Sequence, residues 1–153
     1  MSLESAYFII ENLVKDFQSN ERFYLSHEYP EASARMDFID KFFTAMGWDV
    51  THTEQKNPYE QEVKVEKTFA NESTSKRADY SFSLSPRYNE PVFYVEAKKP
   101  SKNLTNPDYY FQSIRYGWSS NTPLVVLTDF EEFHILDSRY KPNIKTALER
   151  MLK

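Results

Sequence analysis

Ala78-Asp79-Tyr80-Ser81-Phe82-Ser83-Leu84 and, after a turn from Pro86 to Pro91, Val92-Phe93-Tyr94-Val95-Glu96-Ala97 followed by Lys98-Lys99-Pro100 are the informative core of this 153-residue chain. The first stretch alternates apolar and polar residues at period two, the mark of a strand with one buried face. The second is an apolar run that ends on an acid, and Lys99-Pro100 closes it. Two strands joined by a short turn can pair, which would bring Asp79 toward Glu96.

Working outward, Ser5 to Gln18 places Tyr7, Ile10, Leu13, Val14 and Phe17 at helical spacing, giving one apolar face. A second helix is expected from Glu31 to Met46, entered after Pro30 and stopped at Gly47, with Met36, Ile39, Phe42, Phe43 and Met46 as its stripe. Val63 to Phe69 reads as a strand and Asn71 to Lys76 as a loop. Asn106-Pro107-Asp108 opens a helix to about Tyr116. Pro123 to Thr128 is a continuous apolar strand that suits a central place in a covered sheet. Phe133 to Leu136 is a further strand, and Asn143 onward a closing helix with Ile144, Leu148 and Met151. The expected fold class is α/β, a mixed β-sheet flanked by helices, in a single domain spanning 1–153.

Composition narrows the functions available. Twelve Phe, eleven Tyr and two Trp predict an aromatic core, and with only Gly47 and Gly117 there is no glycine-rich phosphate loop. The absence of cysteine excludes a disulfide framework, a cysteine nucleophile and a thiolate zinc site, so no zinc is expected and a reducing cytoplasm fits. No apolar run is long enough to span a bilayer, so no membrane partner is expected. The net charge of −4 argues against a domain that grips nucleic acid by bulk electrostatics. The histidines His27, His52 and His134 show no ligand spacing and read as structural.

Residues i and i+2 of a strand project from one face, so Glu96 and Lys98 can aim at one site. Asp79 and Glu96 would give hard oxygen ligands of the kind Mg²⁺ prefers. A divalent ion suits phosphodiester hydrolysis because it helps form a hydroxide-like nucleophile and relieves charge on the phosphate. Lys98 would orient or help deprotonate the attacking water. The bland alternative is a solvated salt bridge on an edge strand. Against it, an acid at the inner end of an apolar strand is costly without a partner or a metal. Glu31 lies at the edge of its helix's apolar face and can either reach the sheet or pair with Arg35 at i+4. Gln112 and Tyr116, also four apart, share one helix face, where a core tyrosine beside an exposed glutamine is the plain alternative. Arg77, Lys99, Lys102 and Arg115 are candidate phosphate contacts for DNA.

Taken together these pieces resemble the nuclease domain of type I and type IIG restriction enzymes, in the PD-(D/E)xK class. Pro30 to Val50 resembles the opening helix of such domains. Lys76-Arg77-Ala78-Asp79-Tyr80-Ser81-Phe82 and Phe93-Tyr94-Val95-Glu96-Ala97-Lys98-Lys99-Pro100 are similar to their Asp and Glu-x-Lys motifs. Gln112-Ser113-Ile114-Arg115-Tyr116-Gly117-Trp118 resembles the Gln-x-x-x-Tyr motif of RecB-like nucleases, and Thr128 to Phe133 the strand turn that follows. The likeness runs from about Glu31 to Asp137. Where the family usually has proline before the aspartate, this chain has Ala78.

The resemblance implies a restriction-endonuclease-like fold and Mg²⁺-dependent cleavage of double-stranded DNA, with Mn²⁺ able to substitute. It implies that Asp79, Glu96 and the Ala97 carbonyl bind metal, that Glu31 contacts the metal's water shell, that Lys98 assists the nucleophile, and that Gln112 and Tyr116 line the site. It further implies that the chain is the N-terminal part of a longer restriction-modification enzyme, whose methyltransferase and target-recognition domains or subunits supply sequence recognition. The competing readings are a nuclease-fold binding or regulatory module without catalysis, and a structure-specific nuclease such as a junction resolvase. The net charge disfavours the latter.

Overall fold

Five strands hydrogen-bond in the order in which the chain makes them: β1 (Val63–Val65), β2 (Tyr80–Phe82), β3 (Phe93–Ala97), β4 (Leu124–Thr128) and β5 (Phe133–Asp137). The computed structural model describes residues 2–55, 57–66 and 77–152. The β1/β2, β2/β3 and β4/β5 pairs are antiparallel, while β3 and β4 run parallel, so the sheet is mixed. The parallel pair needs a crossover, supplied by a helix, α5 (Pro107–Ser119), which packs against both strands. This is the α/β architecture expected from the sequence, and it is consistent with a restriction-endonuclease-like fold.

The other face of the sheet is covered by α1 (Leu3–Ser19), a short α2 (Glu21–Tyr24), and one long helical stretch. That stretch begins as α3 (Glu31–Ala34), widens into a π-helical turn at Arg35–Ile39, and ends as α4 (Asp40–Ala45). Ser2 caps α1 through reciprocal bonds with Ser5, and Asn106 caps α5 by accepting from Asp108 N–H. Alternation sorts the strand side chains. Tyr80, Phe82, Val95 and Ala97 join Leu13, Phe17, Phe38, Ile39, Phe43 and Phe130 in the larger core, while Leu127 and Leu136 join Leu104, Tyr110, Ile114 and Ala147 in the smaller one under α5. Rings dominate the larger core: Phe82 stacks on Phe93 at 4.4 Å and 8°, and Phe38 on Phe130 at 4.9 Å.

Several local expectations are corrected. On α1 the buried positions are Ala6, Leu13 and Phe17, whereas Tyr7 is 71% exposed and Val14 also faces outward. Met36 and Met46 leave the stripe of the second helix, because the π turn resets its phase so that Ala34, Phe38, Ile39 and Phe43 point inward. The strands are shorter than their apolar patterns, and the positions from 67 to 76, which include part of the strand expected over Val63–Phe69 and the whole Asn71–Lys76 loop, lie outside the described residues. β4 lies between β3 and β5, so it is interior but not the middle strand. The closing helix is reduced to a 3₁₀ turn at Ala147–Arg150. There Ala147 is buried, while Ile144, Leu148 and Met151 are exposed. The chain instead extends along β5, where Leu136 bridges Met151 and Leu152 N–H donates to the Ile135 carbonyl at 2.8 Å.

The turn between β4 and β5 carries a titration of its own. Phe130 takes φ +75°, an uncommon conformation for a ring-bearing residue, and in doing so seats its ring against Phe17 and Phe38. Thr128 Oγ1 donates to the Glu132 carbonyl at 2.7 Å, and Asp129 Oδ1 accepts from Glu132 N–H at 2.9 Å. Burial raises the Asp129 carboxyl to about 7, with Glu131 and Glu132 adding to the effect. The native chain therefore binds a proton there that the unfolded chain has lost, so this group's contribution is complete below its unfolded value near 4 and falls away as pH rises to about 7. Asp129→Asn keeps an acceptor for Glu132 N–H and should flatten the parent's loss of stability across that window by up to ~1.4 kcal/mol per pH unit. Urea unfolding at pH 4.5 and 7.5 measures it, and identical pH slopes in the two chains would contradict it.

Candidate active site

β2 and β3 pair with Tyr80 opposite Val95, so one step further the register sets Asp79 opposite Glu96 at the strand ends. Both acids are buried, on strands held from behind by the aromatic core. Asp79 Oδ2 accepts from Ala97 N–H at 2.8 Å, which locks the two strand ends together. Glu96 lies within hydrogen-bonding reach of Asp79, and its Oε2 is buried without a partner. Burial pushes the Glu96 carboxyl well up, and the neighbouring Asp79 charge pushes it further, while Lys98 partly offsets both. Lys98 extends the parallel ladder by donating its N–H to the Thr128 carbonyl at 2.9 Å, and its ammonium sits 4.6 Å from the centre of the Tyr109 ring.

The structure gives Glu31 a place that helical spacing left open. Arg35, its i+4 neighbour, pairs with Asp79 at 3.4 Å. Glu31 instead faces the acid pair: burial raises its carboxyl, Asp79 raises it further, and Lys98, Arg35 and Lys99 pull it down. From α5 come Gln112 and Tyr116, joined by a hydrogen bond of 3.1 Å from Gln112 Nε2 to the tyrosine hydroxyl. Burial raises the Tyr116 hydroxyl, and so does the charge of Glu96, which places the ring on the acid side of the helix. Asp79, just before β2, Glu96 of β3, Lys98 just after it, Glu31 of α3 and Tyr116 of α5 thus lie near enough to act on one another's charge, and Gln112 joins them through its bond to Tyr116.

The candidate DNA contacts divide. Arg77 and Arg115 line a cleft of about 450 Å³ that borders the site through Tyr116, and Lys64, which the sequence reading did not single out, is a third cation on its wall. Ser81 and Tyr94 form its floor on the sheet. Lys99 and Lys102 do not line this cleft. The Lys99 ammonium donates to the His27 carbonyl at 3.2 Å beside Glu31, and Lys102 stands exposed on the next turn. Two of the histidine rings take the structural role read from the sequence, and at His27 it is the main-chain carbonyl that bonds. His52 bonds the Val63 carbonyl, His134 bonds the Tyr110 hydroxyl, and His27 offers its carbonyl to Lys99.

A divalent ion fits this donor set. Two buried carboxyls side by side, one with an unpartnered oxygen, form a site where one proton or one cation relieves the repulsion between them. Among the described residues no three His, Cys, Asp or Glu side chains are grouped so as to hold a metal ion by themselves. The acid pair would thus need main-chain oxygen or water to complete a shell, and Glu31 falls outside a direct ligand group.

A stretch of 132 residues, 84% of the chain, is 37% identical to the type II restriction enzyme and methyltransferase RM.Eco57I of Escherichia coli. The chain is related to a restriction-modification enzyme. It spans 13% of that relative's length. No family model matches the chain, and no solved structure does. Among the described residues, no helix is long and apolar enough to cross a membrane.

Proposed function

We propose that this chain is the DNA-cleaving domain of a restriction-modification enzyme, a Mg²⁺-dependent PD-(D/E)xK endonuclease of the type I or type IIG kind. The observation that carries the reading is Glu96: a buried carboxyl with an unpartnered oxygen, set against Asp79 and followed by Lys98 on the same face. Mg²⁺, or Mn²⁺ in its place, would be held by Asp79, Glu96 and the Ala97 carbonyl, and supplies positive charge against the phosphate and a more acidic water. The Lys98 ammonium would orient the attacking water and make its proton easier to lose; that proton passes to surrounding water as the new P–O bond forms, and the oxygen of the departing strand takes one from water as its P–O bond breaks. Glu31 fixes a second water by hydrogen bonding. Gln112 and Tyr116 hold each other in one rotameric arrangement and shape the wall that the strand must follow. Arg77, Lys64 and Arg115 meet the phosphates that enter along the cleft.

Recognition lies elsewhere in this proposal. The relative's name joins a restriction enzyme with a methyltransferase, and with a net charge of −4 this chain has little counterion release to draw on. Methyltransferase and target-recognition parts of a longer cytoplasmic enzyme would supply sequence selection and most of the affinity for double-stranded DNA. One feature favours a second reading, a nuclease-fold module without catalysis: both Asp79 oxygens already have partners, in Arg35 and Ala97.

Calorimetric titration of Mn²⁺ into the 153-residue chain at pH 7.5 separates the two. The nuclease reading expects one site, weakened at least about tenfold by Asp79→Asn. An inactive module would bind no Mn²⁺, and that outcome would overturn the proposal.

A further inference from the structure

Helical spacing offered Arg35 only as a partner for Glu31, and the structure sets it against Asp79 instead. Arg35 begins the π-helical turn, and its side chain is 11% exposed. One guanidinium nitrogen lies 3.4 Å from Asp79 Oδ1. A second donates to the Glu66 carbonyl at 2.9 Å and to the Asp79 carbonyl at 3.4 Å, and Nε reaches the Tyr80 hydroxyl at 3.4 Å. The group also stacks over the Tyr80 ring at 4.9 Å, and that ring is fixed in turn because its hydroxyl donates to Asp40 Oδ1 at 2.5 Å. A planar, permanently charged fork held from four sides is a rigid fixture.

Its placement opposes the charge of the site. Asp79, Glu96 and Glu31 put three carboxyls at one end of the sheet, and Asp79 carries the only bond from Arg35 to a charged partner among the described residues. Asp79 Oδ2 accepts from Ala97 N–H, a main-chain donor fixed in the strand, so Oδ1 is the oxygen more open to a metal, and it is the oxygen that Arg35 faces. We propose that Arg35 is the resident counter-cation of the acid pair, occupying Asp79 in the metal-free chain so that a divalent ion must displace it, and that Arg35 thereby limits the affinity of the site for metal. This rests on the reading that Asp79 and Glu96 hold a metal ion. In the metal-free chain Arg35 offsets the repulsion among the carboxyls. In the metal-bound chain the same charge repels the ion. Arg35 acts through Asp79 and is a positioning residue.

Calcium titration tests this without turnover. Arg35→Gln keeps a donor for the Glu66 carbonyl and loses the charge, and it should bind Ca²⁺ at least about fivefold more tightly than the parent while unfolding at a lower temperature without metal. Arg35→Lys retains the charge and should stay within about threefold of the parent. Should Arg35→Gln not fold, the unmutated chain still decides: the Arg35 Nε–Hε resonance, assigned by its loss in Arg35→Lys, should move on saturation with Ca²⁺. Unchanged or weaker Ca²⁺ binding in Arg35→Gln, equal tightening in Arg35→Lys, or a motionless Arg35 resonance would each overturn the inference and leave the metal site standing. If neither parent nor variants bind Ca²⁺, the metal reading falls and takes the inference with it.

Discussion

Glu96→Gln should lower the proposed DNA cleavage by about 10³-fold or more, and at the same time make the metal-free chain more stable at pH 8. Glutamine preserves the volume at a buried position and resembles the protonated acid. It removes the charge that burial and Asp79 oppose. Because the folded-state carboxyl is raised, the parent's stability from this group is complete below the unfolded value and declines as pH rises. The variant escapes that decline, so it should be more stable than the parent in alkaline buffer and match it at pH 4. Under the proposed function, loss of cleavage follows because Glu96 would be an anionic metal ligand beside the scissile phosphate. Asp79→Ala is a poorer test than the sequence alone suggests, because it would strand the Ala97 N–H and the Arg35 guanidinium as well. Cleavage near the parental rate by Glu96→Gln would remove Glu96 from the mechanism, and equal denaturant midpoints at pH 8 would remove the electrostatic account.

Gly117→Ala should be the most damaging small change in the described chain. Gly117 lies on α5 one residue after Tyr116, and a Cβ there would meet the Ser138 side chain, with its Cβ at 2.5 Å, and the Thr122 carbonyl oxygen at 2.8 Å. None of these can yield cheaply. Ser138 is buried with its hydroxyl donated to the Thr122 carbonyl, and Thr122 N–H in turn donates to the Gly117 carbonyl at 2.8 Å. The helix must lift off the sheet or the loop must shift, at a cost of about 3 kcal/mol. For a chain of this size that lowers Tm by roughly 6–12 °C. Since α5 carries Gln112 and Tyr116, the lift should also weaken the proposed metal-dependent cleavage in whatever fraction stays folded. A Tm within about 2 °C of the parent would show that the contact is not tight.

What the sequence disclosed and what it withheld divide along physical lines. Period-two alternation in 78–84 and the apolar run ending at Glu96 were enough to pair β2 with β3, because both signals are local and the connecting turn is short. The four-residue step from Gln112 to Tyr116 likewise put them on one face, and they do touch. Arg35 was left open for the same reason: spacing could offer only Glu31 as its partner, whereas the structure gives it Asp79, 44 residues away. The π turn left no mark that a 3.6-residue period could reveal, since Phe38, Phe42 and Phe43 suit an ordinary helix equally well. Lys64 went unnoticed because a lysine on a short strand carries no pattern until a neighbouring arginine and tyrosine make it part of a wall. The closing segment defeated periodicity through tertiary competition, with main-chain pairing to β5 prevailing over helix formation.

That last pairing bears on how the molecule behaves among its own copies. A strand on the rim of a sheet offers bare main-chain groups on which another chain can be templated, and β5 is five residues long with Phe133 and Ile135 exposed beside it. Met151 and Leu152 occupy that rim, taking the Ile135 carbonyl in a bond of 2.8 Å. Residues 151–152 thus cover part of an edge on which another chain could pair, a contact that the composition of the segment does not suggest and that its loss of helical form makes possible.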